Sequence, residues 1–205
     1  MIIQKFPRTD EGIEEWFDAR LGKITGTRDI IPKRSTEPKM GFWEIIAERI
    51  AIPPNGENVM DRGKRLEDIA IQRFVSETGI EVDSDLKLIS REDYPNISYS
   101  PDATIGKTAS LEIKCLNSAN HVKALWTKQI PKEYEDQSIQ PFVVNDKLET
   151  LYFGFYDPRM PVDFFYVEVK REDILDKVQE YLEKQIIILK NAEEIINELT
   201  FKYGA

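Results

Sequence analysis

From Thr9 to Gly22 the sequence TDEGIEEWFDARLG places Ile13, Trp16, Phe17 and Arg20 three and four residues apart, on one face of a helix. Asp10 is the expected cap and Gly22 the expected stop. GFWEIIAERIA, residues 41–51, predicts a second helix. DRGKRLEDIAIQRFVSETG, residues 61–79, predicts a third, with Leu66, Ala70 and Phe74 along its apolar stripe and Gly79 ending it. Between them, IPPNGENVMDRG is a connector too short to divide two domains.

The period then changes. KLIS, ISYS and SLEIKC are short β-type runs, and TLYFGFY and DFFYVEVK, rich in aromatic and β-branched residues, are longer ones. Helical stretches around ANHVKALWTK and KEYEDQSIQPFVV separate the two groups. A long amphipathic helix over about residues 172–199 closes the chain. The expectation is one domain over residues 1–205, of α/β (α+β) class, with a central, mostly antiparallel mixed sheet flanked by helices. With 205 residues, 41% of them hydrophobic, the chain can bury a full core.

Charge and rare residues narrow the chemistry. The net charge of −9 argues against indiscriminate coating of nucleic acid or anionic membranes, but leaves room for a local basic groove. One cysteine excludes an internal disulfide and any Cys-based zinc or iron–sulfur site. A single histidine, His121, speaks against a His-rich metal site or a Ser-His-Asp triad; both it and Cys115 read as structural. Catalysis would have to use carboxylates, Lys, Tyr or a bound metal. No apolar run approaches the ~20 residues that span a bilayer, and the N-terminus has no secretory core. A cytoplasmic protein is expected.

The segment SYSPDATIGKTASLEIKC, Ser98 to Cys115, holds the candidate site. A hairpin turning near Gly106 and Lys107 would set Asp102 opposite Glu112, with Cβ atoms roughly 5 Å apart. Carboxylates that close repel, so one takes up a proton or a cation sits between them. Lys114 is two residues from Glu112 and shares its face, while Leu111, Ile113 and Cys115 point the other way. Oxygen-only ligation suits Mg²⁺ or Mn²⁺, and such an ion can activate a water against a phosphodiester. A surface hairpin with solvated charges would carry the same letters. Glu67 borders the apolar stripe of the third helix. Arg20, on the apolar face of the first, needs an anionic partner if buried, or lays its stem over Trp16 with its head in water.

Together these residues resemble a known family. SPD and EIK resemble the signature of the PD-(D/E)XK nucleases, and GKRLE resembles the helix motif of their YqaJ-like branch, the phage recombinases related to lambda exonuclease. WFDARLGKITGT, KEYEDQSIQ and LYFGFYDPRM match in the same order, so the resemblance spans roughly residues 16–160. It implies a restriction-endonuclease-like core and a 5′→3′ exonuclease with two Mg²⁺ (or Mn²⁺) ions per site, acting on double-stranded DNA ends in phage recombination. It also implies a ring-shaped homotrimer and a phage single-strand annealing protein as partner. On the resemblance, Asp102, Glu112 and the Ile113 carbonyl bind metal, Glu67 completes the cluster, and Lys114 positions the attacking water. Tyr134 and Gln137 lie near the scissile phosphate. Arg20 anchors a 5′-phosphate with Thr27 and Ser100. Ile139 stands where the family has its second Gln, and Gln140 follows it. A structure-specific endonuclease and a non-catalytic DNA-end-binding protein on the same fold are the alternatives.

Overall fold

The computed structural model describes residues 1–26, 45, 61–116, 118–158 and 160–203. Strand β1 (Ile2–Phe6) leads into helix α1 (Asp10–Arg20), and α2 (Asp61–Thr78) precedes β2 (Leu86–Ser90), β3 (Ser98–Tyr99), β4 (Ala103–Ile105) and β5 (Ala109–Cys115). After α3 (Ser118–Thr127) and α4 (Glu135–Val144) come β6 (Thr150–Tyr156), β7 (Phe164–Lys170) and α5 (Leu175–Tyr203). The strands form two sheets, β1-β2-β3 and β4-β5-β6-β7. The larger is mixed: β5 and β6 are parallel, and its other ladders are antiparallel.

The expected hairpin register is the observed one. Ala103 faces Leu111, Thr104 faces Ser110 and Ile105 faces Ala109, around a turn in which Gly106 takes φ +58°, a backbone that glycine adopts freely. The arm from Ile97 to Ile105 is not one strand, however. Ser98 and Tyr99 pair with β2 in the small sheet, and only from Ala103 does the chain join β5. Pro101 has no N–H to give a ladder, and the chain changes sheets around it. Asp102 stands at that break.

Each face of the larger sheet has its own core. On one side Ala70, Ile71 and Phe74 of α2 pack against Leu111, Ile113, Tyr156 and Phe164. Phe74 lies 5.3 Å from the Tyr152 ring and 5.6 Å from that of Tyr166. On the other side Leu151, Phe153 and Phe155 of β6 meet α4 and α5. Alternation along β5 therefore sends Leu111 and Ile113 toward α2 and Glu112 and Lys114 toward α4. An isolated parallel bridge between Ile24 and Ile97 ties the loop after α1 to β3; Ile24 donates to Asn96 O at 2.9 Å and Ser98 donates to Ile24 O at 3.0 Å.

Several local expectations are corrected. The cap of α1 is Thr9, whose hydroxyl accepts from the Gly12 amide at 3.1 Å; Asp10 is the first helical residue. Strand β1 has no counterpart in the sequence pattern. Strand β2 starts at Leu86, and α5 begins at Leu175, after a 3-10 turn over Arg171–Asp173, and runs to Tyr203. Cys115 is exposed rather than packed. His121 is structural: it is fully buried, with Nε2 2.9 Å from Val162 O and its ring edge-on to Phe165. Ile45 is helical and buried, but the rest of GFWEIIAERIA, most of the connector after it, and Thr27 lie outside the described residues.

Candidate active site

The β4–β5 hairpin, α2 and α4 bring the acidic candidates together. One rung past the last ladder pair, Asp102 turns its carboxylate so that Oδ2 accepts the Ile113 amide at 2.5 Å. Glu112 is 8% exposed, and Lys114 Nζ sits 2.7 Å from its Oε1. The same ammonium lies 5.7 Å from the Tyr134 ring centroid. Glu67, half-buried on α2, is near enough to both for their charges to act on it.

Proton affinities record the crowding. Asp102 is pushed well above the ordinary carboxylate range, first by burial, then by the negative charges of Glu112 and Glu67. Glu67 is also raised, by burial, with Arg8 pulling down and Glu112 pushing up. For Lys114 burial lowers the pKa, but the carboxylates of Glu112, Asp102 and Glu67 outweigh it and the net shift is upward. Three carboxylates thus share one ammonium in a desolvated corner, which favours a further positive charge. Among the described residues, no three His, Cys, Asp or Glu side chains are gathered closely enough to hold an ion as they stand. Lys114 now occupies one face of Glu112. The donor set, all oxygen and in negative excess, is nevertheless the one a hard divalent cation takes.

A small cavity continues from this corner. Glu112 lines it together with Arg20, Thr25, Gly26, Tyr99, Ser100, Gln137 and Gln140. Arg20 lays its guanidinium 4.4 Å from the Trp16 ring centroid. Ser100 Oγ and Gln137 Oε1 are buried there with no hydrogen-bond partner among the described residues, an arrangement that costs free energy unless a ligand completes it. The α1 loop is pressed onto α4: a Cβ on Gly26 would lie 3.1 Å from Gln137 Cα and 3.0 Å from Gln140 Cβ. Only glycine allows that approach without displacing the helix.

Every described candidate, Arg20, Glu67, Ser100, Asp102, Glu112, Ile113, Lys114, Tyr134 and Gln137, is therefore at or beside this corner. The sequence pattern leaves the second Gln position open. Ile139 is core, and Gln140 is buried with its amide spent: Nε2 donates to Ser98 O at 3.0 Å and lies 3.3 Å from Gln185 Oε1, while Gln185 Nε2 donates back to Gln140 Oε1 at 2.6 Å. It braces β3, α4 and α5 at the cavity wall. The sequence pattern singles out neither Gly26 nor Gln185; a glycine inside ITGT is a readable hint for the first, and nothing local marks the second.

A two-faced mixed α/β core carrying buried carboxylates and a lysine on a hairpin beside a guanidinium pocket defines a protein of the alkaline exonuclease type of fold. The chain belongs to the YqaJ-like viral recombinase domain family, whose model matches residues 15–144. It is similar to the crystal structure of an alkaline exonuclease, LHK-Exo, from Laribacter hongkongensis: TM-score 0.81, 28% identity, covering 93% of this chain and 98% of that one. LHK-Exo in complex with dAMP matches with TM-score 0.80 and 29% identity over the same shares of the two chains. A phage-related exonuclease from Haemophilus somnus 129PT shares the fold, with TM-score 0.58 and 13% identity, covering 86% of this chain and 96% of that one. A search of curated proteins finds no match. Among the described residues, no helix is long and apolar enough to cross a membrane.

Proposed function

We propose that this protein is a metal-dependent 5′→3′ exodeoxyribonuclease that degrades one strand of linear double-stranded DNA and leaves a 3′ single-stranded overhang. The observation that carries this reading is the shared cavity: Glu112 of the acidic corner and Arg20 line the same space as Ser100 and Gln137, whose Oγ and Oε1 have no partner among the described residues. Carboxylates alone would suit many ions. Carboxylates next to a guanidinium and orphan polar groups suit a phosphodiester flanked by a terminal phosphate.

The similarity to LHK-Exo, described as an alkaline exonuclease and in complex with dAMP, supports the same chemistry. In this reading Asp102, Glu112, Glu67 and the Ile113 carbonyl hold Mg²⁺ or Mn²⁺, two ions per site. Such ions would polarise the phosphodiester and lower the pKa of a bound water. Lys114, kept cationic by its neighbours, leaves Glu112 to orient the attacking water and offset charge growing on the phosphate. Arg20 with Ser100 and Thr27 reads the terminal phosphate, and Tyr134 and Gln137 fix the scissile group. The same reading carries a homotrimer and a strand-annealing partner in phage recombination.

The test is a pair of substrates with Mg²⁺: end-labelled linear duplex and covalently closed circular duplex. The linear molecule should shorten from its 5′ ends while the circle stays closed. Nicking of the circle would replace the exonuclease by a structure-specific endonuclease. Tight end binding with no hydrolysis in Mg²⁺ or Mn²⁺ would make the protein a non-catalytic end binder.

A further inference from the structure

Between Glu112 and Glu133 lie twenty residues without one Asp or Glu, although the chain holds 37 of them. The run contains Lys114, Lys123, Lys128 and Lys132. In a chain of net charge −9 this is its longest acid-free stretch. It leaves the site directly, since β5 ends at Cys115 and α3 begins at Ser118.

Helix α3 is anchored on its inner side, where His121 and Ala124 are 0% and 1% exposed. Its outer side faces solvent. Trp126 there is 88% exposed, and Lys123, one turn earlier on the same face, is exposed as well. Indoles are costly to leave in water, and a large apolar ring beside an ammonium matches a flat, anionic ligand.

We propose that this face of α3 binds an unpaired nucleic-acid strand, Trp126 stacking on a base and Lys123 pairing with the adjoining phosphate. The proposal rests on the reading that the site removes one strand of a duplex and so leaves the other unpaired. Bases inside a duplex are already stacked on each other, whereas an unpaired base offers an open π face to any aromatic ring. From Ser118 to Trp126 the helix rises roughly 12 Å, so the platform lies a short step from the strand that bears Glu112 and Lys114. The charge pattern favours a polyanion over a protein segment: an apolar peptide would gain nothing from a run of twenty residues that has lysines and no carboxylate.

The experiment measures binding of the full chain to a labelled oligothymidylate and to a blunt duplex by fluorescence anisotropy, in EDTA so that nothing is cut. Trp126→Ala should weaken oligothymidylate binding by about 5- to 100-fold, the worth of one base–aromatic stack, and leave blunt duplex within about twofold. Trp126→Phe should recover most of the loss. Lys123→Ala should flatten the salt dependence for the single strand by about 0.7 in log–log slope. Circular dichroism checks that each variant is folded.

Equal affinity of wild type and Trp126→Ala for the oligonucleotide would overturn the proposal. So would sedimentation showing that Trp126→Ala dissociates an oligomer in the absence of DNA, which would make the face a contact between copies. Loss of binding to an annealing protein with oligonucleotide affinity intact would overturn it in favour of a protein partner. Binding is read without hydrolysis, so the two readings separate. If linear duplex is degraded but Trp126→Ala binds normally, only this inference falls; if nothing is degraded but Trp126→Ala loses the single strand, only the nuclease reading falls.

Discussion

At the β5 end of the cavity, burial and the neighbouring carboxylates raise the proton affinity of Asp102 and Glu67, with Glu112 and its ammonium partner Lys114 beside them. At the α4 end, Ser100 Oγ and Gln137 Oε1 are buried without partners, and Arg20 stands on the Trp16 ring. The first region sets three carboxylates against one ammonium. The second has polar groups in want of hydrogen bonds. The two deficits differ in how they answer mutation: removing a charge from the first relieves repulsion, whereas removing a bracing group around the second strands the groups that remain. A phosphodiester with divalent ions would answer both, with positive charge for the first region and hydrogen-bonding partners for the second.

The sharpest way to break this contrast is Asp102→Asn. The amide oxygen still accepts from Ile113, so the local fold is kept while one negative charge disappears. Hydrolysis should fall by at least about a hundredfold, the scale of losing one preorganised stabilising group, and the melting temperature without metal should stay level or rise. Activity within a few-fold of wild type, or a melt several degrees lower, would contradict the reading of the acidic corner.

Arg20→Ala tests the other end. Losing one charged hydrogen-bonding partner is worth roughly 1.5–3 kcal/mol, or about one to two decades in rate. That loss should appear on 5′-phosphorylated duplex and vanish on 5′-hydroxyl duplex, measured as initial rates on otherwise identical ends. If the wild type cuts both ends equally fast, Arg20 does not read the phosphate.

The smallest effect on chemistry, and a clear one on stability, is expected at Gln185. Gln185→Ala leaves Gln140 Oε1 buried without its donor, a loss of about 1–3 kcal/mol, visible as a shifted denaturant midpoint. Turnover on linear duplex should move by no more than a few-fold. A variant as stable as wild type would show that the Gln140–Gln185 pair does not brace the wall.

Much of this is legible in the sequence because it is local. The hairpin register follows from the turn and the alternation on either side of it, and that alone places Asp102, Glu112 and Lys114 together. The same holds for α2, which ends at Gly79 where its periodicity stops. What escapes a local reading is set by distant partners. Strand β1 is almost wholly exposed, so it shows no buried face to read and exists by pairing with β2. The sheet change at Pro101 has a signal, since proline disfavours a ladder interior, yet its consequence, Asp102 turned to the Ile113 amide, depends on which strand comes next. The Gln140–Gln185 pair spans forty-five residues, and no local pattern announces it.

The parallel pairing of β5 with β6 carries an expectation about the order of assembly. Glu112 lies beside Phe153 in that ladder, and parallel neighbours can meet only after the intervening crossover has formed. Hairpins close in about microseconds, while contacts between distant segments wait on loop closure. The β4–β5 turn can therefore set Asp102 near Glu112 early, before α4 brings Gln137 and the α1 loop brings Arg20. The expected order in refolding is therefore the Asp102–Glu112 pair first and the cavity lined by Arg20 and Gln137 second, checked by following the two regions in time-resolved hydrogen exchange.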